Sequence, residues 1–285
     1  DFVPELKTLT FQVKLGSFLD KTERIVELTK TLGMGLKCNQ SEMDLAERAA
    51  HLCKADLATN MVVEMTSLQG SMGRYYALKS GETNEVAQAI FEHYLPRSAD
   101  DQLPKTKPGL VVGLADRLDS LIGLFAVGLA PTGTKDPFAQ RRAALGICQN
   151  LIAWQINFDL GWGLEEAGRG MSLKVSPQDV GACLEFIQGR LRGMLLDLGF
   201  RYDVVDAIMA EKGKDPYGAY VACEELTAWV NRVDWDQILP AFSRCVRITR
   251  ELEVTFTVFE DRFEESIEKL LYEAVKNTEE AMGDT

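Results

Sequence analysis

The chain has 285 residues, 31 Lys and Arg against 43 Asp and Glu, a formal net charge of −12 and 46% hydrophobic residues. These values are ordinary for a globular protein and exclude disorder as the main state, because enough apolar surface is available to build a core. Apolar stretches such as 121–129 fall short of the roughly 18 residues of a membrane span, and residues 1–7 lack the pattern of a signal peptide. The length predicts two domains.

The first half of the chain is predicted to be helical. Ser41 to Asp44 match a capping box and predict a helix start, and 83–94 carry apolar residues at helical spacing. Residues 96–108 hold three prolines and predict a loop, and 109–129 are expected to form a long apolar helix or a pair of helices. Asp136-Pro137 then resembles an N-cap with Pro at N1 and predicts a helix over 138–156.

The second half begins with a glycine-rich stretch. Residues 158–170 contain four glycines, which favours a linker at 157–175 between domains 1–156 and 176–285. Ser176 predicts the next helix start and Gly199 its end. Helices are also expected around 216–231 and 234–250, and the last is an acidic tail helix whose apolar face closes the second domain. The prediction is a mainly α fold.

Charge is unevenly distributed along the chain. Residues 251–285 carry a net charge of −8, whereas 1–150 and 171–250 each carry −1. The near-neutral body lacks the broad positive field that indiscriminate nucleic-acid binding needs. Specific RNA binding through local arginine clusters stays open.

Histidine and cysteine restrict metal chemistry. The only two histidines, His51 and His93, exclude a dinuclear histidine-rich site. His93 is expected to be structural, at a helix end where the C-terminal dipole stabilises it. None of the six cysteines forms a Cys-x-x-Cys pair, and their apolar helical settings predict reduced core residues of an intracellular protein.

Phosphate-binding glycine motifs and the Gly-x-Ser-x-Gly motif are also missing from the sequence. The segments around Asp56 and Asp116 do resemble the HD superfamily of metal-dependent phosphohydrolases, in which a His, a His-Asp pair and a distal Asp hold a metal that activates water. Here Ala55 precedes Asp56 in place of His, and no His precedes His51. The resemblance therefore implies a degenerate HD-like scaffold without a metal, in which Asp56 and Asp116 serve as caps or pair with Lys54 and Arg117.

A series of phrases carries a more specific resemblance. In chain order they are FQVKLGS (11–17), DKTER (20–24), KADLATNMV (54–62), LQGSMGRYYA (68–77), EHY (92–94), PTGTKDPF (131–138) and RRAALG (141–146). This series resembles the β subunit of the bacterial-type glycyl-tRNA synthetase, or the β-like half of its fused plant organellar form. It covers 1–150 strongly and continues weakly at DVVDA (203–207) and LLYEA (270–274).

The resemblance implies a degenerate HD-like helical domain followed by a helical anticodon-binding-like domain. It also implies that the chain lacks a catalytic residue and a cofactor of its own, because the α part of the enzyme binds glycine and uses ATP and Mg²⁺. The expected partners are tRNA(Gly) and the α subunit or α-like region, and no association with a membrane is expected. The expected location is the bacterial cytoplasm, or a chloroplast or mitochondrion for the plant form. Because the chain starts with Asp1 rather than Met, it is expected to be a fragment. The resemblance implies that it starts inside the β region and stops before the end of the anticodon-binding-like domain.

RNA recognition by such a domain needs Arg or Lys for phosphates and planar groups for unstacked bases. The candidate RNA-binding residues are Arg244, Arg247, Arg250, Arg190, Arg192, Lys212, Lys214, Tyr217, Arg141 and Arg142. For each of them a solvated face or an internal ion pair is the alternative. Two other functions stay open for the chain, namely an HD-type phosphohydrolase with a divergent site and a structural module that holds the α part.

Overall fold

The computed structural model describes residues 2–98, 101–254 and 256–283, and it is mainly helical, with 69% helix and 3% strand. The predicted fold class is therefore confirmed. A short antiparallel hairpin of β1 (Thr10–Gln12) and β2 (Gly16–Ser17) precedes the helices. The helices are α1 (Phe18–Gly35), α2 (Gln40–Leu52), α3 (Asn60–Glu64), α4 (Ser71–Lys79), α5 (Asn84–Glu92), α6 (Lys107–Ala126), α7 (Gln140–Ala153), α8 (Leu160–Arg169), α9 (Pro177–Asp197), α10 (Tyr202–Lys212), α11 (Pro216–Val230), α12 (Trp235–Thr249) and α13 (Ser266–Met282).

Helix α6 forms the centre of a compact unit that ends at Val230. Apart from the central charged residues Asp116, Arg117 and Asp119, it is mostly apolar around its whole circumference, as expected of a helix enclosed by others, and most of its residues are buried. Helices α1, α2, α5, α7, α8 and α9 pack around it. Glycine permits a close approach of α6 to the residue that follows α5, because a Cβ atom at Gly113 would lie 2.9 Å from the carbonyl oxygen of His93.

The segment 157–175, expected to be a linker, contains α8. Leu160 and Leu164 of this helix are buried in the same hydrophobic core as α6. Gly163 contributes to close packing, since a Cβ atom there would lie 2.7 Å from the Phe158 ring. Gly161, Gly163 and Gly168 therefore belong to a helix of the first unit, which extends to Val230, and Gly170 directly follows that helix.

Helix ends follow local chemistry with small shifts from the predictions. Ser176 caps α9 in a capping box with Asp179, as predicted, and Gly199 follows that helix with a φ of 94°. Helix α2 is capped by Asn39 rather than Ser41, with Glu42 completing its capping box. The predicted helix at 138 begins at Gln140, although Asp136 still accepts hydrogen bonds from the first two amides of α7.

The second compact unit begins at Asn231 and contains α12 and α13. The apolar side chains of the acidic tail helix were expected to close a core, but Leu270 and Leu271 are largely exposed. All six cysteines are free. Cys245 on α12 is exposed, although the sequence predicts that the cysteines are core residues. Within the described ranges, we find no helix with the length and apolar character needed to cross a membrane.

Candidate functional site

Two lysine ammonium groups converge on Asp116, in the middle of α6. The Nζ atom of Lys54, two residues after α2, lies 2.7 Å from Oδ2 of Asp116, and the Nζ atom of Lys21 on α1 lies 3.0 Å from Oδ1. Both lysine side chains are almost completely buried. Burial alone would raise the pKa of Asp116, but the two ammonium groups hold it well below its ordinary value. Asp116 is therefore an ionised carboxylate inside the helical core.

The same network extends one helical turn along α6. Lys21 also lies 2.8 Å from Asp119, and the Nε atom of Arg24 lies 2.6 Å from the other oxygen of that carboxylate. We call Lys21, Arg24, Lys54, Asp116 and Asp119 the lysine–aspartate cluster. Three cations face two anions in it, so each buried charge has an opposite partner, as burial requires.

His93 lies at the edge of this cluster, directly after α5. Its Nδ1 atom is 2.5 Å from the carbonyl oxygen of Ile90, and its Nε2 atom is 2.9 Å from Nζ of Lys54. A carbonyl only accepts, so we assign the ring proton to Nδ1, and the Nε2 lone pair accepts from the ammonium group. Burial and the nearby Lys54 charge lower the pKa of His93 well below its ordinary value. His93 is structural as expected, but it is neutral rather than a cation stabilised by a helix dipole.

Asp56 faces a different part of the molecule from Asp116. Its Oδ2 atom accepts hydrogen bonds from the backbone amides of Gly70, at 2.7 Å, and Gly73, at 3.0 Å, at the start of α4. This carboxylate is buried, and burial raises its pKa. Asp56 thus acts as a helix cap, one of the two roles considered for it.

Arg117 pairs with neither aspartate. Its guanidinium group is buried and donates to the carbonyl oxygens of His93 at 2.8 Å and Leu95 at 2.7 Å. It therefore holds the end of α5 and the segment after it against α6. Burial lowers the pKa of Arg117 to about 10, which leaves the group charged at neutral pH.

These contacts do not suit a metal of the HD type. Such an ion would need several carboxylate and imidazole ligands that face one point. Asp116 faces two ammonium groups, Asp56 faces backbone amides, and His93 accepts from Lys54. Over the described part of the chain, we find no group of three or more His, Cys, Asp or Glu placed to hold a metal ion. Lysines supply the positive charge that a metal would supply opposite Asp116.

The largest set of candidate RNA contacts lies on α12. Arg244, Arg247 and Arg250, which follows the helix directly, are all exposed. None of the three pairs with a carboxylate among the residues that the structure describes. At 100° per residue, Arg244 and Arg247 lie on the side of α12 away from Phe242. We call these three residues the α12 arginine face.

Arg190 and Arg192 differ in their surroundings although both are exposed on α9. The Nε atom of Arg192 lies 2.7 Å from Asp206, an ion pair with both side chains about half exposed. The guanidinium carbon of Arg190 lies 5.8 Å from the centre of the Phe186 ring. Arg192 therefore fits the alternative of an internal ion pair.

The predicted loop around Lys212, Lys214 and Tyr217 is shorter than expected. Lys212 is the last residue of α10, and Tyr217 lies in the first turn of α11. Lys214 lies between the helices, and its carbonyl oxygen accepts from the amide of Leu160 at 2.9 Å. Both lysines are exposed, whereas Tyr217 is only partly exposed. The three residues therefore lie at or between two helix ends, which gives them less freedom for base stacking than a loop offers.

Arg141 and Arg142 are neighbours in the first turn of α7 with different partners. Arg141 lies 3.8 Å from the Asp136 carboxylate that caps the helix. Arg142 is exposed, and within the described ranges its side chain donates one hydrogen bond, to the carbonyl oxygen of Arg97 at 3.4 Å. Arg142 is therefore the freer of the two.

Sequence reasoning missed Lys21, Arg24 and Asp119 as members of the lysine–aspartate cluster. A signal was present for Lys21, because it continues the buried stripe of α1 formed by Ile25 and Leu28 at spacings of four and three. A lysine on such a stripe requires a buried partner. Its partner is about 95 positions away, which no local pattern reveals.

Comparison with known proteins identifies the relatives of this chain. A family model described as "Glycyl-tRNA synthetase beta subunit" matches residues 1–210. The glycine–tRNA ligase beta subunit of Desulforamulus reducens is 41% identical over 275 residues, which are 94% of this chain and 39% of the relative. Those of Moorella thermoacetica and Trichodesmium erythraeum are 38% and 47% identical, over 97% and 74% of this chain and 41% and 30% of the relatives.

The chain thus spans about two fifths or less of the length of these relatives. The matched residues 1–210 include the hairpin, the lysine–aspartate cluster and the α6 core. The match covers well over half of the chain, and several relatives are close to 40% identical across most of it. The chain therefore belongs to the glycyl-tRNA synthetase beta subunit family.

Proposed function

We propose that the chain is the tRNA-binding part of a glycine–tRNA ligase β subunit, which supports aminoacylation of tRNA(Gly) by the α part and is not catalytic alone. The observation that carries this proposal is the α12 arginine face. Exposed guanidinium groups without carboxylate partners are available for phosphate oxygens, which they bind with two parallel hydrogen bonds. Family membership supplies the class of nucleic acid.

Local arginines matter here because the chain as a whole is acidic. At a net charge of −12, attraction to RNA cannot come from the average field. Binding must use a positive patch, and the acidic tail helix α13 must face away from the phosphates. This arrangement favours a defined binding orientation over indiscriminate binding.

The chemistry of aminoacylation is proposed for the α part. We propose that ATP, Mg²⁺ and glycine bind there, and that this chain needs no cofactor of its own. The α subunit, or an α-like region of the same polypeptide, is then the protein partner. The proposed location is where bacterial-type translation takes place, namely the bacterial cytoplasm, a chloroplast or a mitochondrion.

A second candidate is a structural module that holds the α part without binding RNA. The observation that favours it is the set of exposed apolar side chains on α12, among them Phe242 and Ile248, which are about two thirds exposed. Large exposed apolar side chains are typical of protein–protein contacts. The donor set around Asp116 does not suit the metal that the phosphohydrolase alternative would need.

The test is a titration of labelled tRNA(Gly) with the chain, followed by fluorescence anisotropy. We expect saturable binding that the double change Arg244→Glu and Arg247→Glu weakens at least tenfold. Arg201→Glu serves as the control, since Arg201 is exposed but already paired with Asp203 at 2.7 Å. Unchanged affinity in the double variant, with circular dichroism showing an intact fold, would remove the α12 arginine face from the proposal. Binding to the α part without affinity for RNA would favour the structural module.

A further inference from the structure

A cavity of about 440 Å³ opens beside the lysine–aspartate cluster. Its floor includes Asp116 and His93, and its rim carries Arg97, Phe138 and Arg142. Its volume lies within the roughly 300–1,000 Å³ of small-molecule sites. The neutral His93 and the ion-paired Asp116 make this floor rigid, because both are held by buried partners.

Positive charge predominates in the cavity wall. Three arginines line it, Arg97, Arg117 and Arg142, against one aspartate, Asp116, and the charge of Arg97 is balanced by its ion pair with Asp101. That carboxylate is already neutralised by Lys21 and Lys54. The excess charge favours an anionic ligand.

Arg142 is the cation best placed to bind such a ligand. Arg117 uses its donors on backbone carbonyls, and Arg97 forms an ion pair with Asp101 at 2.8 Å. Arg142 is exposed on α7 and has no carboxylate partner in the described part of the chain. Its guanidinium group therefore remains available for a phosphate.

Flat and hydrogen-bonding groups lie in the same wall. Phe138 is 37% exposed, and its ring is held edge-on to Phe11, with centroids 6.4 Å apart. The side-chain amide of Gln69, which can both donate and accept, forms no hydrogen bond to another described residue and also lines the cavity. An aromatic face, an amide and a guanidinium group together fit the base and phosphate of one nucleotide.

We propose that this cavity binds a single unstacked nucleotide of the bound RNA, with the base on Phe138 and its edge at Gln69, and the phosphate at Arg142. The inference rests on the proposed function, because it names a second contact of the same tRNA. The shared chemistry, a base joined to a phosphate, is also that of a free nucleotide. The experiment therefore has one arm for each source.

In the first arm, tRNA(Gly) is titrated with the wild-type chain and with Phe138→Ala, Phe138→Leu and Arg142→Glu. We expect about tenfold weaker binding for Phe138→Ala and for Arg142→Glu, since stacking and phosphate contacts are lost. Phe138→Leu keeps bulk without an aromatic face and should also weaken binding. Arg169→Glu is the matched charge control, because Arg169 is 68% exposed on α8 and is paired with Glu166. Its affinity should stay within twofold of the wild type.

In the second arm, Phe138→Trp provides a fluorescent reporter in the cavity, and the wild-type chain with its own four tryptophans gives the background. Two separate titrations are made, one with tRNA(Gly) and one with the four nucleoside monophosphates in the absence of RNA. Quenching of the added signal in either titration supports the cavity as a nucleotide site. Quenching by RNA only assigns it to tRNA, and quenching by the free nucleotides only assigns it to a small ligand.

The two proposals fail in different ways. If the wild-type chain binds tRNA(Gly), but the cavity variants bind equally well and the Trp signal does not change, the nucleotide site is overturned and the proposed function stands. If the wild-type chain does not bind tRNA(Gly), the proposed function fails. The titration with free nucleotides then tests whether the cavity binds a nucleotide at all. If they do not quench the Trp signal, the nucleotide site is overturned as well.

Discussion

Lys54 and Asp116 form a buried ion pair with 2.7 Å between Nζ and Oδ2, and the same ammonium group lies 2.9 Å from Nε2 of His93. One lysine thus joins the end of α2, the end of α5 and the middle of α6. In a low-dielectric interior such a lysine is tolerated only with close partners of opposite charge or with a lone pair to accept its protons. The lysine–aspartate cluster is therefore a structural device of the helical core.

Removal of the Lys54 charge should destabilise the fold. We expect Lys54→Met to lower the free energy of unfolding by about 3 kcal/mol, because it leaves the Asp116 carboxylate buried with Lys21 as its remaining partner. Lys30→Met, which removes an exposed pair with Glu27 on α1, should leave it almost unchanged, because water screens an exposed ion pair. Urea unfolding followed by circular dichroism measures both. Equal stabilities for the two variants would show that the cluster is not a stabilising element.

The neutral state of His93 predicts a pH dependence with a definite sign. Its folded-state pKa lies below the ordinary value of about 6.5, so below that pH the unfolded chain binds a proton that the folded chain does not. The free energy of unfolding should therefore fall as the pH drops from about 7.5 to 5.5, by at most about 1.4 kcal/mol per pH unit.

His93→Gln should remove this part of the slope, because glutamine does not titrate. His51→Gln is the control, since the exposed His51 lies outside the cluster. The quantity to compare is the change in unfolding free energy across the pH range in each variant. The assignment of a neutral His93 is wrong if His93→Gln keeps the full wild-type slope.

Asp56 should matter as a cap of α4. We expect Asp56→Ala to lower the free energy of unfolding by about 1–2 kcal/mol, because the amides of Gly70 and Gly73 lose their acceptor. Asp56→Asn keeps one acceptor oxygen and should cost less. Hydrogen exchange of these two amides gives a local readout, with faster exchange expected in Asp56→Ala. Unchanged exchange would show that the carboxylate does not cap the helix.

The close contact between α5 and α6 depends on Gly113. A Cβ atom there would lie 2.9 Å from both the His93 carbonyl oxygen and a nitrogen of Arg117, so Gly113→Ala should destabilise the fold by about 1–3 kcal/mol. Gly181→Ala on α9 is the matched control, because nothing lies within 4 Å of its Cβ position. Alanine should raise stability there by up to about 1 kcal/mol. Thermal unfolding of both variants tests whether the two signs are opposite.

Sequence patterns predicted those features that depend on neighbouring residues. The cap at Ser176 and the glycine after α9 follow from local hydrogen bonding and backbone freedom, so both were placed correctly. The glycines of α8 predict a linker instead, because a glycine such as Gly163 is found both in flexible turns and in helices that pack closely, here against Phe158. Only the tertiary contact distinguishes these cases.

The site was predictable only in part for the same reason. Lys54 was considered as a partner of Asp116, because the two segments resembled parts of one motif. Lys21 was not predicted to be such a partner. Its carboxylate partners lie on a helix far along the chain, and the sequence of α1 does not indicate which residues they are. The neutral state of His93 likewise depends on burial and on the Lys54 charge, which are properties of the packed core.

The most direct test of the account is the salt dependence of tRNA(Gly) binding by the chain, measured by anisotropy beside a non-cognate tRNA. We predict tighter binding of tRNA(Gly), an affinity that falls linearly with salt on logarithmic axes, and a slope about two units shallower after Arg244→Glu and Arg247→Glu. Affinity that is equal for the two tRNAs, or a salt slope that these changes leave unaltered, would contradict the claim that this helical scaffold binds tRNA through local arginines.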